Sequence, residues 1–347
     1  MATHSDIKID VPSDNYKKTI LSNRSIRREL LAADRRLRSE HPWLNRQDLI
    51  GGTILLAVVL GLAASATAYL TDAIPAAVAV MLVAFLMSIA HELEHDLIHD
   101  IYFARKNKLH NLSLNIIWLI KLHANPHWRR DLHLRHHGYS GQAEDWEERL
   151  LGLGQPFGWR RILALVSPFG SAIFFTTVAK LDLEFRQRRA RVANLPAAIV
   201  FHALFYAEIL NLALPANLHG LVPSVLWITV SALTVLWVLP SIVRHFCLTL
   251  MTTMVHYSDD IPRNNVHFEN QIIDHWAFLP IQLFCFNFGA THIVHHYIVH
   301  QPFYLRHVVA KTIRKKMIDE GCRHNDVGIL FRANRWSESG SWTKGIP

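Results

Sequence analysis

Apolar residues in this 347-residue chain are gathered into blocks rather than spread at a helix or strand period over a polar background. The first block, from about Leu49 to Leu70, is long enough to cross roughly 30 Å of hydrocarbon as a helix. A short break, Thr71-Asp-Ala-Ile-Pro75, separates it from a second block running from Ala76 to about Ala90, and the two predict a helical hairpin. A second hairpin is predicted from about Pro196 to Leu214, turning at Pro215-Ala-Asn-Leu-His-Gly220 and returning from Leu221 to Val243. Three other apolar stretches do not read as spans. Leu112–Leu122 is too short, and Phe278–Phe288, which holds Pro280 and precedes Gly289, is expected to be a surface or re-entrant helix. Ile162–Ala179 is marginal and broken by Pro168 and Gly170, so it is expected to lie along the membrane interface. Four spans result.

Charge orients them. Residues 1–48 carry ten Lys and Arg, among them Lys17, Lys18, Arg27, Arg28, Arg35 and Arg36, while the turns 71–75 and 215–220 carry none. The positive-inside rule then places the N-terminus, residues 97–195 and everything after 244 in the cytoplasm. The chain divides into a basic cytoplasmic segment (1–48), a membrane domain (49–310) and a cytoplasmic tail (311–347). The net charge of +8 follows the flanks of the apolar blocks, which suits anionic lipid better than nucleic acid. Three cysteines without paired spacing, Cys247, Cys285 and Cys322, give neither a disulfide framework nor a Cys-based metal site.

Histidine changes the picture. The pentad His-x-x-His-His occurs as His133-Leu-Arg-His136-His137 and again, 159 residues later, as His292-Ile-Val-His295-His296. A third cluster, His91-Glu-Leu-Glu-His95-Asp-Leu-Ile-His99, continues from the second apolar block. Residues at i and i+3 or i+4 share a helix face, whereas adjacent residues diverge by about 100°. An adjacent histidine pair is therefore awkward for one metal and natural for two, and the clusters together suggest a site for a metal pair. Imidazole-rich ligation suits Fe, Cu, Zn or Ni alike. His91-Glu92-x-x-His95 also matches the zinc-protease motif, a reading that leaves both pentads unexplained. The isolated His110, His123, His127, His202 and His219 are expected to be interfacial or packing residues, as is His245.

At these residues a resemblance becomes plain. Trp128-Arg-Arg-Asp-Leu-His133-Leu-Arg-His136-His137, followed by Ser140 and Asp145, resembles the second histidine box of the membrane fatty acid desaturase superfamily. Asn287-Phe-Gly-Ala-Thr-His292-Ile-Val-His295-His296 is similar to the third, and Pro302-Phe-Tyr304 to the segment after it. In the first cluster, His91–His95 resembles the alkane-monooxygenase form and His95–His99 the desaturase form. The spacing of 34 residues from His99 to His133 fits the desaturase form better. The resemblance covers roughly residues 49–310.

It implies an all-α integral membrane protein: four transmembrane helices in two hairpins, with a cytoplasmic helical cap holding a di-iron site. The implied metal ligands are His95, His99, His133, His136, His137, His292, His295 and His296. His256 joins them as the further histidine that family members carry before the third box. His91 and Asp145 fall just outside this set, supporting it, with His91 an alternative ligand. Thr252 stands where many acyl-CoA desaturases have Asn. The implied reaction is O2-dependent oxidation of a fatty acid or acyl thioester, foremost desaturation, with oxidative decarboxylation to a terminal alkene and hydroxylation as alternatives. The joined His91–His99 cluster and His300-Gln-Pro-Phe-Tyr-Leu-Arg306 point toward the decarboxylating subgroup. Nothing in the sequence resembles a fused cytochrome b5 or ferredoxin domain, so a separate ferredoxin, rubredoxin or cytochrome-type donor is implied. Arg129, Arg130, Arg160 and Arg161 are expected either to contact head groups or a donor protein, or to form a lipid-facing patch. Outside the enzyme class, a His-rich metal transporter would place its site near the bilayer midplane, where the spans offer little beyond His202 and Glu208.

Overall fold

The fold is taken from a computed structural model that describes residues 13–121, 123–169, 187–215, 218 and 220–337. Among these, all regular elements are helices, supplemented by two isolated β-bridges. A basic helix α1 (Ser13–Glu40) precedes α2 (Gln47–Leu70) and α3 (Ala76–Ile98). Then come α4 (Asn107–Lys121), α5 (Pro126–Tyr139), α6 (Trp146–Leu150) and α7 (Trp159–Val166). Helix α8 (Gln187–Ala213) pairs with α9 (Ser224–Leu233), which continues through a π turn (Thr234–Val238) into α10 (Leu239–Val255). Short helices α11 (Val266–Glu269) and α12 (Leu279–Leu283) lead to α13 (Phe288–Tyr297) and α14 (Phe303–Asp319).

Four helical stretches are long and apolar enough to cross a membrane: Gln47–Leu70, Ala76–Ile98, Asn194–Ala213 and Ser224–Val255. Half of the apolar window of α3 is buried against 11% for α2 and for Asn194–Ala213, which makes α3 central and the other two peripheral. Outward-facing Leu56, Leu60, Ile199 and Leu212 on the peripheral pair suit contact with lipid. Gly51 lets α2 approach this centre, since a Cβ there would lie 2.7 Å from the Tyr102 ring.

Two predicted spans end too early in the sequence reading. Apolar character in the second block fades at Ala90, yet α3 runs on to Ile98, and helix continues past Val243 to Val255. The reason is local pairing. Beyond Ala90 the polar side chains of α3 are buried against partners, so the helix need not stop where hydropathy does. It stops at Asp100, whose φ of 56° is left-handed. The stretch Phe278–Phe288, expected as a surface or re-entrant helix, holds a sharp bend: residues 276–283 and 288–297 meet at 79°, with Phe286 and Asn287 left-handed between them. Of the predicted interfacial stretch Ile162–Ala179, only α7 and the residues to Phe169 are described. The remainder, like Ala216, Asn217 and His219 of the second turn, lies outside the described residues.

Three acids on α3 tie the centre to its surroundings. Glu94 is fully buried, paired with Lys121 at the end of α4 and, at 2.7 Å, with Arg129 of α5. Asp96 accepts from Tyr102 Oη (2.8 Å), from Phe303 N (2.8 Å) and from Arg306 Nη2 (2.6 Å). Arg306 of α14 also reaches Glu92 at 3.4 Å. Breaking a buried pair by removing one partner leaves an uncompensated charge. Arg306→Ala is therefore expected to lower stability in detergent by about 3–5 kcal/mol, and Arg306→Ala with Asp96→Asn by clearly less, as read from denaturant midpoints.

Candidate metal centre

Four helices deliver the histidines. Helix α5 starts where Asn125 accepts from His127 N (3.0 Å) and Pro126 occupies its first turn, a strong N-terminal signal. That start fixes which face carries His133, His136 and His137. Helix α13 can pack tightly against Ile273 and α12 because Gly289 is small: a Cβ there would meet Ile273 O and Gln282 Nε2 at 2.8 Å. The end of α3 supplies His95 and His99, and His256 caps α10.

These side chains converge in two groups, His95–His99–His133–His295 and His136–His256–His292–His296. The adjacent pairs of each pentad split as their divergence requires. His136 and His296 enter the second group, and His295 the first. His137 stands against the first group, its Nε2 3.2 Å from His133 Nε2 and 2.9 Å from His295 Nε2. Within the first group His133 and His99 bring their Nε2 atoms to 3.0 Å. In the second, His292 lies 3.0 Å from both His256 and His296, and His136 lies 3.3 Å from His296.

Such spacing fits metal ligation. Nitrogens held at about 2.0–2.1 Å from one ion, at right or tetrahedral angles, stand roughly 2.9–3.4 Å apart. Hydrogen bonding alone does not account for it, because a neutral imidazole has one N–H. In three rings that proton faces outward. His133 Nδ1 lies 2.6 Å from Glu147, His136 Nδ1 2.9 Å from Asp145, and His256 Nδ1 2.8 Å from Thr252 O. The Nε2 lone pairs are thereby turned inward. His95 Nε2 is buried with no hydrogen-bond partner among the described residues, an orphan that a metal would satisfy.

Burial, reinforced by neighbouring imidazoles, favours the neutral, ligating form. It lowers His99 to about 2 and His256 to about 3, and pushes His133 and His137 well below the ordinary histidine range. His136 is the exception. Burial disfavours its charge too, but Asp145 outweighs burial and raises it to about 10, which makes Nε2 a stronger donor.

Sequence reading missed much of the support. Glu147 and Glu148 are visible in the run Glu144-Asp-Trp-Glu-Glu148, where four acids in five positions were the available signal. Glu148 accepts from Thr252 Oγ1 at 3.0 Å and lies 3.5 Å from His256. Asp145 Oδ2 lies 2.9 Å from His136 Nδ1, and Asp145 also caps α6. His91 joins neither group; its nitrogens lie 3.2 Å from Lys121 Nζ and 3.4 Å from Arg129 Nη2. His110 and His245 bond to Leu97 O and Ala164 O, as packing residues do.

The arginine expectations need correction. Arg129 turns inward to Glu94 and Glu147, and Arg161 is buried on Gln155 O, Leu330 O and Asn334. Both are committed to acceptors inside the protein and neither faces lipid, because desolvated guanidinium groups go where acceptors wait. Arg130 pairs with Asp100, and Arg160 alone remains exposed, over Trp159. A cavity of about 160 Å³ adjoins both groups, touching His95 and His133 of the first and His292 of the second.

Asp145→Asn should lower metal affinity about 10–100-fold by weakening the hold on His136, without removing any ligand. Metal retained after dialysis against a graded chelator series checks this; unchanged retention would count against Asp145 as the support of His136.

No curated protein matches the chain. A model of the fatty acid desaturase family matches residues 71–328, which takes in all three histidine clusters and His256. The chain belongs to the fatty acid desaturase family, an oxidoreductase carried in a membrane by its long apolar helices.

Proposed function

We propose that the protein is an O2-dependent di-iron oxidase that desaturates a saturated fatty acid or acyl chain. The observation that carries this is the split of both pentads between two buried histidine groups. His95, His99, His133, His137 and His295 would hold one iron, and His136, His256, His292 and His296 the other. Bound iron supplies O2 activation and the power to break an unactivated C–H bond. The balance requires that –CH2–CH2– with O2, two electrons and two protons gives –CH=CH– and two waters. A separate protein of ferredoxin, rubredoxin or cytochrome type brings the two electrons.

The remaining work falls to the chain's own side chains. Asp145, Glu147 and Thr252 O fix the tautomers of His136, His133 and His256, so no ring needs to reorient. The cavity's apolar wall, which includes Leu132, Leu248 and Phe288, lies against the site, excludes water and aligns an alkyl chain. The positive-inside pattern supports a cytoplasmic site with both termini on that side.

Purified protein supplied with reductant, a donor protein, O2 and a saturated fatty acid is expected to give an internal alkene of unchanged length. A terminal alkene one carbon shorter would replace desaturation by oxidative decarboxylation, and an added oxygen would replace it by hydroxylation. His295→Ala should abolish turnover while the protein still inserts in membranes; retained turnover would remove His295 from the ligand set.

A further inference from the structure

Arg244 of α10 is 1% exposed and lines the cavity that adjoins the histidine groups. Its Nε and Nη2 have no hydrogen-bond partner among the described residues. The other cations on or near this cavity are matched: Lys121 by Glu94, and Arg129 by Glu94 and Glu147. A guanidinium stays charged at any physiological pH and presents its N–H groups as a planar fork. Burying one without an anion is costly. Two further polar atoms on the same cavity are also buried and unpartnered, Trp128 Nε1 and His123 Nε2. An indole nitrogen can only donate, so it too calls for an acceptor.

From this convergence we infer that Arg244, with Trp128 and His123, binds the carboxylate of a free fatty acid inside the cavity. The inference rests on the fatty-acid reading above and names its substrate class. A carboxylate accepts two parallel N–H bonds from the fork and brings the missing negative charge. A thioester or ester carbonyl is neutral and leaves the guanidinium uncompensated. Discrimination against it follows from the unpaired charge as much as from a lost contact. Phe169 and Leu248 add apolar surface to the lining of the same cavity, which suits the alkyl chain that follows the carboxylate.

The test is equilibrium binding of radiolabelled hexadecanoate to the detergent-solubilised full chain, in competition with methyl hexadecanoate and hexadecanol. Wild type should prefer the acid by at least about tenfold, the loss expected when a charge-assisted bond is missing. Arg244→Gln should lose the preference, and Arg244→Lys should keep part of it. Equal affinity for acid and ester in wild type, or a preference that survives in Arg244→Gln, would overturn the inference. The wild-type comparison decides the matter even if a variant does not fold. Binding needs neither reductant nor O2, so the two readings fail separately. Acid preference without any oxidised product would sink the oxidase and leave the anion site. Equal product from acid and methyl ester would sink the anion site and leave the oxidase.

Discussion

Nine imidazole rings stand within reach of one another in the interior of this protein, and burial keeps nearly all of them from taking up the second proton that would charge them. Their Nε2 atoms face inward at about 3 Å, where lone pairs repel unless something positive stands between them. A folded chain tolerates such a cluster only if metal coordination offsets it or the surrounding structure forces it. Here both conditions have visible supports. Asp145, Glu147 and Thr252 O take the outward protons, and the rings sit on helix ends that cannot turn independently.

That requirement explains the charged shell around the centre. Acids that hold histidines must themselves be buried, and buried acids need cations. Arg129 illustrates the chain of dependence: it links Glu147, which holds His133, to Glu94 near the C-terminal end of α3. Arg306 does the same on the other side, joining Asp96 and Glu92 to α14. The polar residues of α3 are thus a frame that fixes the first histidine cluster relative to the second and third. Arg244 stands apart from this frame as the cavity cation that no acid among the described residues matches.

Much of this was legible in the linear chain. Four helices long and apolar enough to span were readable because hydrocarbon demands unbroken apolar length, and the pentads were readable because His-x-x-His-His has few structural uses. What stayed hidden had no periodic or compositional signature. The extension of α3 past Ala90 depends on Lys121 and Arg306, far away in sequence. Arg129 and Arg161 looked like surface residues because burial of arginine is decided by where its acceptors fold. Thr252 was noticed as a departure from the family pattern, but its bond to Glu148 required the packing of α6 on α10. Arg244 gave no signal at all, since an unmatched charge becomes visible only when its neighbours are known.

The central claim is that the two histidine groups hold a pair of iron ions. X-ray absorption at the iron edge, combined with metal quantification on protein purified from its membrane, tests it most directly. The account predicts about two irons per chain, with a first shell of nitrogen scatterers and the outer-shell pattern of imidazole. A single metal per chain, zinc in place of iron, or a sulfur ligand in the first shell would contradict it.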